Sequence, residues 1–477
     1  MGIKKNFIYN IILTLSSYII SLIVFPYVAR TLGVEAIGRV DFSNNIIMYF
    51  SLFSLMGVST VGIREIASAG NDREIRSKVF SNILGFVLLL TIVSVTLFLI
   101  SIFKIDKLVS YRNLLIIGSF SLFFTSLLIE WLYQGTEQFK YISNRTIIIR
   151  ILYAISIFIF VKDRDDIYMY YFLTVMSTCV NALINLSYSK KYVDFKLSYI
   201  YPFRYAKEIL SLGVYKILTS MYTTFNVVYL GFVASDSQVG FYSTSTKLFY
   251  ILLGVLTAFT SVMLPRMSAL LSNEKHEEFK SKINYSFDLV FMFTIPIIVL
   301  TVFFSPQIIM LLSGPGFEGA ITPMRIITPM LFVTGIAQIF VVQILIPLKK
   351  DNIILIGSII GAVVGITLNI ILVKEYGAVG TAFTLFLSEL SCALYAFIYI
   401  TTNEIIIFPW RKMIYYLLTS LPYILLCYLA YLISDHYLYS LLISGILSSM
   451  YFLFLNTHIM KNTLVINFLN TLKSRIK

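Results

Sequence analysis

Charged side chains make up only 13% of the 477 residues, about half the share of an ordinary soluble domain. A chain so poor in charge cannot coat itself with a polar surface, which excludes a water-soluble protein. Cysteine is nearly absent as well. Cys179, Cys392 and Cys427 each sit inside an apolar run without CxxC spacing, so neither a disulfide framework nor a thiolate metal site is indicated. The three histidines, His276, His436 and His458, are scattered over loops and ends and suggest no metal centre. Long loops are missing too: Lys190 to Tyr205 is among the longest expected non-spanning stretches before the C-terminal tail. There is no GxxxxGK[ST] phosphate loop and no acidic DxD cluster beside a soluble domain, which argues against an ATP-driven pump or a membrane glycosyltransferase. No feature calls for a cofactor or catalysis, and the chain is expected not to be an enzyme.

What is abundant is apolar sequence. Hydrophobic residues make up 58% of the chain and the mean hydropathy is +0.85. Apolar stretches of about 20 residues, each long enough to cross a bilayer as a helix, recur along the whole length. Fourteen spans can be drawn, at about 6–29, 42–63, 79–103, 109–133, 142–161, 167–189 and 206–232, then 243–265, 283–311, 321–346, 353–373, 378–401, 413–433 and 437–457. The chain therefore reads as an all-α integral membrane protein. The first run, after Lys4 and Lys5, is too long for a signal peptide and lacks a small-residue cleavage site, so it is read as the first span.

Basic residues orient these spans. With the N-terminus inside, 25 lysines and arginines fall on the cytoplasmic side and seven on the other, five more lying within spans. This asymmetry predicts cytoplasmic N- and C-termini. The net charge of +13 is accordingly a topology signal toward anionic inner-leaflet lipid and not a nucleic-acid patch.

Two turns carry similar punctuation. Residues 29–42 read ARTLGVEAIGRVDF and residues 231–243 read GFVASDSQVGFYS. Setting Gly38 against Gly240, an offset of 202, brings AIGRVDFSNNI over QVGFYSTSTKL and VGIREIASA over MLPRMSALL, so that Arg64 meets Arg266 without a gap. The expected organisation is two six-span lobes, residues 1–205 and 206–402, related as parallel repeats, followed by two further spans and a tail in residues 403–477. Some transporters place a substrate site between such halves.

Ionisable residues within a bilayer are costly and point to function by default. Basic side chains are graded in depth here: Arg64, Arg145 and Arg150 toward the cytoplasm, Lys216 about 15 Å into span seven, and Lys247, Arg325 and Arg112 toward the outside. Arg64, Arg145, Arg112 and Arg325 also lie near span ends, where snorkelling to headgroups is the alternative. A series of cations suits an anionic group such as a pyrophosphate, with arginine as a fork and lysine as a point charge. Asp41, Glu130, Asp288 and Glu389 are the acids in spans. Each either neutralises a neighbouring cation or binds a driving H+ or Na+.

Four segments carry a family resemblance. ARTLGVEAIGRVDF, EWLYQGTEQFKYISNR (130–145), GPGFEGAITPMRIITP (314–329) and EYGAVGTAF (375–383) resemble, in this order, segments of polysaccharide-biosynthesis flippases. The chain resembles the Wzx-type O-antigen and capsular repeat-unit flippases of the multidrug/oligosaccharidyl-lipid/polysaccharide exporter superfamily. That resemblance implies a multi-pass protein of the cell inner membrane with two lobes around a cationic cavity. It implies undecaprenyl-pyrophosphate-linked oligosaccharide as substrate, moved to the outer leaflet by alternating access, with an ion gradient as the expected drive. A polysaccharide polymerase and a chain-length regulator are implied partners. Arg150, Lys216 and Lys247, with Arg64, Arg145 and Arg325, are the expected headgroup residues. Asp288, Glu389, Glu130 and Asp41 are the expected coupling acids. The rivals are a drug exporter of the same superfamily, which would favour acids over cations in its spans, and a membrane polymerase, which would need a large outside loop.

Overall fold

In the computed structural model, the residues described are 3–201, 203–221, 223–434, 436–460, 462, 465, 466 and 469. Lys461, Lys473, Arg475 and Lys477, counted above as cytoplasmic, lie outside the described residues, as do the side chains of Lys4 and Lys5 and both chain ends. Every regular element among the described residues is helical. Apolar runs of this length lead there because a backbone surrounded by lipid must satisfy its own hydrogen bonds.

The chain forms two compact units. The first comprises Met1–Lys247, Leu312–Pro323 and Ser358–Ser388, and the second Leu248–Leu311, Met324–Gly357 and Glu389–Lys477. Helices α1 (Ile3–Leu32), α2 (Val34–Leu55), α3 (Val58–Ser68), α4 (Arg73–Lys104) and α5 (Asp106–Val109) open the first unit. It continues with α6 (Arg112–Ser126), α7 (Glu130–Gly135), α8 (Phe139–Phe160), α9 (Ile167–Ser189), α10 (Ala206–Ser220) and α11 (Thr224–Val233). Helix α12 (Asp236–Ser272) runs on into the second unit, followed by α13 (His276–Phe303). The stretch holding α14 (Ser305–Ser313), α15 (Ile321–Ile327), α16 (Met330–Gln338), α17 (Asp351–Leu368) and α18 (Lys374–Thr402) contributes to both units. Helices α19 (Trp410–Ile433) and α20 (Tyr437–Phe454) belong to the second.

Among the described residues, twelve helical stretches are long and apolar enough to cross a membrane. Two places account for the difference from fourteen. Residues Asp351–Thr402 form one continuous stretch of 52 residues, about 78 Å at the helical rise, whereas a bilayer core is about 30 Å thick. Gly377 breaks it at φ 50° and ψ −125°, a conformation that costs glycine least, and Gln238 accepts the freed Ala378 N–H at 2.8 Å. The expected spans eleven and twelve thus flank that bend. Span seven is interrupted instead, as α10 and α11 with Met221 and Thr223 between them.

Other spans are also jointed. Met56 takes φ 31° between α2 and α3, and the Gly57 N–H donates to the Ile209 carbonyl at 3.1 Å, tying the joint to α10. A Cβ on Gly57 would meet that carbonyl oxygen and the Leu212 Cβ, each at 2.6 Å. Beside the joint, Val58, Ile66, Phe80, Trp131, Tyr133 and Ile142 form a buried cluster. Arg73, at the start of α4, grips Asp194 with 3.1 and 2.8 Å bonds and donates to the Lys190 carbonyl at 2.9 Å. That grip holds the Asp194 carboxyl below its ordinary range. Its stabilising contribution is therefore present at neutral pH and is lost as pH falls through the depressed folded value.

The second unit is knit by aromatic rings. Phe287 and Phe291 of α13 meet Phe408, with ring centroids 5.2 and 6.3 Å away, and Phe408 packs on Trp410 at 4.6 Å. Buried Ser286 donates to Gln343 at 2.6 Å within this core.

The two similar turns are tighter than their composition suggests. Only Gly33, at φ 82°, separates α1 from α2, and Ala234 and Ser235 alone separate α11 from α12, so most of each quoted segment is already helix. The turns also meet each other. A Cβ on Gly38 would overlap the Asp236 carbonyl oxygen and press on the Gly240 nitrogen at 2.9 Å. A Cβ on Gly240 would overlap the Val34 carbonyl oxygen. Val34 and Asp236 are themselves 202 apart, and so are Glu35 and Ser237, whose hydroxyl donates to the Glu35 carboxylate at 3.5 Å. Contacts that exchange i and i+202 on both sides are the signature of a local two-fold between the repeated segments.

Candidate functional site

Arg145 lies on α8 with 5% of its side chain exposed. Its guanidinium donates to Glu130 at 2.8 Å, to Thr146 at 2.9 Å and to the Asn185 side-chain carbonyl, and stands 5.6 Å over the Tyr141 ring. Asn185 in turn donates to the Leu128 carbonyl, and Tyr141 donates to Asn185 at 3.1 Å. Helices α7, α8 and α9 are thereby pinned through one cation, since each needs a polar partner and the apolar surroundings supply none. Removing one partner of a buried ion pair strands the other. Arg145→Met is therefore expected to lower stability by about 3 kcal/mol, read as a depressed midpoint in a thermal unfolding assay in detergent; an unchanged midpoint would remove Arg145 from this role.

Arg150, five residues farther along α8, donates to the Leu13 carbonyl and the Ser16 hydroxyl of α1, both at 3.0 Å. Lys247 lies 4.0 Å from Asp41 and 5.2 Å over the Phe25 ring. The Asp41 Oδ2 is buried and accepts no hydrogen bond, so the lysine is its main counter-charge. Lys216 is half-buried on α10, four residues before the helix ends at Ser220.

The remaining sequence candidates are dispersed. Arg64 is exposed and bonds its neighbour Glu65 at 2.9 Å, the behaviour of a side chain reaching for the interface. Arg325 donates to Ser305 at 2.7 Å. Asp288 pairs with Lys412 at 2.8 Å. Glu389 is partly exposed on α18, and no basic side chain within 4 Å pairs with it among the described residues. Three of the four acids thus have a cationic partner: Asp41, Glu130 and Asp288.

Some polar contacts were not foreseeable from local sequence. Asn369, in a π-helical turn after α17, donates to the Asn226 side-chain carbonyl of α11 at 2.7 Å, both side chains being buried. Tyr111 donates to Asp236, which lies 3.9 Å from Arg39, and the Arg39 guanidinium stands 5.9 Å over the Tyr111 ring. Asparagine inside an apolar run was the available signal; its partner, more than a hundred residues away, was not. No three histidine, cysteine, aspartate or glutamate side chains converge as a metal site among the described residues.

Comparison with known proteins adds independent findings. Residues 3–271 match the family described as polysaccharide biosynthesis protein. A protein of Escherichia coli (strain K12) named for O-antigen transport is 24% identical over 426 residues, covering 85% of this chain and 99% of its own. A counterpart from Shigella dysenteriae, named likewise, is 27% identical over 398 residues, with 82% and 98% covered. Among solved structures, the lipid II flippase MurJ in an inward closed conformation superposes with a TM-score of 0.77 at 17% identity, covering 95% of this chain and 99% of that one. An inward-facing multidrug resistance MATE family transporter of the MOP superfamily gives 0.63 at 16% identity, covering 82% and 94%. The fold is therefore that of MurJ and MATE transporters.

Proposed function

The chain belongs to the polysaccharide biosynthesis protein family, and on that premise we propose that it is a flippase for undecaprenyl-pyrophosphate-linked oligosaccharide repeat units. The unit would pass from the inner to the outer leaflet for O-antigen, capsule or exopolysaccharide assembly. One observation carries the reading: the family match covers the part of the chain that holds Arg64, Arg145, Arg150, Lys216 and Lys247. Cations within otherwise apolar spans offset the cost of bringing a pyrophosphate out of water. In this mechanism the polyprenyl tail stays in the bilayer while the headgroup enters between two six-span lobes, residues 1–205 and 206–402, which rock by alternating access. Arg150, Lys216 and Lys247 hold the headgroup, and Arg64, Arg145 and Arg325 line its path. Coupling to an H+ or Na+ gradient falls best to Glu389, the one of these four acids without a cationic partner within 4 Å among the described residues, ahead of Asp41, Glu130 and Asp288.

A drug exporter of the same fold is the second reading. It would need acids free to meet a cationic cargo, and three of the four are occupied by lysine or arginine.

The test is deletion in the native host with surface polymer and lipid-linked units assayed together, then complementation by wild type and by Lys216→Ala. Loss of polymer with single units accumulating on the inner leaflet is the expected result. Lys216→Ala, expressed normally, is expected to restore less than about a tenth of the polymer, as removal of a charge-assisted contact of about 1.5–3 kcal/mol implies. Intact polymer in the deletion strain, with no second flippase present, would overturn the proposal.

A further inference from the structure

A cavity of about 700 Å³ opens between α8 and α9, on the side of the turn at residues 136–138. Its lining is ordered along the helix axes. Thr136, exposed Glu137, Gln138 and Lys140 lie at the turn, Asn144 and Arg145 come next, and Ile148 and Ile184 stand beyond them. Lys140 to Ile149 spans nine residues, about 14 Å along the axis, which is the depth from the headgroup level into the acyl region. Ile148 and Ile184 are 57% and 39% exposed, on helix faces that carry Ile151, Leu152, Leu183 and other exposed apolar residues. The groove therefore opens toward lipid at one end and toward water at the other.

Its polar end is built for an acceptor. Tyr141 and Tyr188 stack at 3.9 Å and 18° and form one wall. Lys191 stands 5.7 Å over the Tyr188 ring, a second cation beside that wall in addition to exposed Lys140 in the lining. Arg145 reaches the wall with its Nε buried and without an acceptor, although its other nitrogens are bonded. A soluble ligand would have no use for the isoleucines, and a bare hydrocarbon none for the cations.

We propose that this groove binds an acidic glycerophospholipid from the leaflet on the side of the 136–138 turn, with its phosphate near Lys140 and Tyr188 and an acyl chain along Ile148 and Ile184. The lipid braces α8 against α9 beside the Arg145 network. Resident lipid, not transported cargo, is the assigned occupant, and the assignment holds whether or not the protein moves a glycan.

Native mass spectrometry of the full chain, with dioleoyl-phosphatidylglycerol and dioleoyl-phosphatidylcholine at equal concentration, tests it without a transport readout. Wild type is expected to retain one phosphatidylglycerol at least about fivefold over phosphatidylcholine, the effect of a single basic residue at a membrane surface. Lys140→Gln should remove that preference and Lys140→Arg restore it. Ile148→Trp, at an exposed position where folding is not at stake, should displace both lipids by filling the groove. Equal retention of the two lipids by wild type would overturn the proposal, as would variants that bind like wild type. Displacement of phosphatidylglycerol by excess inorganic phosphate, or more strongly by a polyprenyl pyrophosphate, would also overturn it, assigning the groove to free phosphate or to the cargo.

Discussion

Gly38→Val is expected to abolish polymer restoration in the deletion strain while the protein still reaches the membrane. The added branched side chain begins with a Cβ that overlaps the Asp236 carbonyl oxygen and crowds the Gly240 nitrogen. Both obstacles are backbone, so no rotamer change relieves them and the first turns of α2 and α12 must move apart. Overpacking of this kind costs about 3 kcal/mol, equivalent to roughly a hundredfold loss if that contact must close in each cycle. Gly240→Val should behave alike, because its Cβ overlaps the Val34 carbonyl oxygen across the same local two-fold. A Cβ on Gly445 meets nothing within 4 Å, and Gly445→Ala is the neutral control. Cross-linking between cysteines at positions 35 and 237, which face each other across this contact, should fall in Gly38→Val. Wild-type transport together with wild-type cross-linking would show that the contact tolerates what its geometry forbids.

Lys247→Met carries the second large effect, and a charge swap separates its two causes. The lysine is 4.0 Å from Asp41, whose Oδ2 has no hydrogen bond to fall back on. Removing it leaves a carboxylate in apolar surroundings, costing about 1–2 kcal/mol once the partial exposure of Lys247 is discounted. If Lys247 also holds the headgroup, transport falls more than about tenfold. Asp41→Lys combined with Lys247→Asp re-forms the pair with its ends exchanged. It is expected to regain thermal stability but not transport, because the cation then projects from α2 instead of α12. Recovery of transport by the swap would reduce Lys247 to a structural partner of Asp41.

Much of the architecture was legible because its physics is local. Length and apolarity announce a spanning helix wherever it lies, and the count differs from expectation only where a helix bends without ceasing to be helical, as at Gly377, or breaks in mid-span, as between Ser220 and Thr224. The punctuation at Gly38 and Gly240 was readable as a repeat. That the two glycines touch was not, since an offset of 202 says nothing about distance. The cations were readable as unusual, yet their fates diverge. Arg145 is consumed by Glu130 and Asn185, Arg150 caps a carbonyl of α1, and Arg64 reaches outward to its own neighbour.

The sequence by itself determined the solvent, the helical class, the family and the rarity of charge inside the spans. Each of these follows from composition or short motifs, where the free energy is a sum over residues and the position of a partner does not enter. Only the tertiary structure decided which acid meets which base, which glycine is a contact and where a groove opens. Those depend on groups brought together from helices about two hundred residues apart, such as Asp41 with Lys247 and Gly38 with Asp236. In an apolar interior such pairs decide whether a buried charge is tolerated at all.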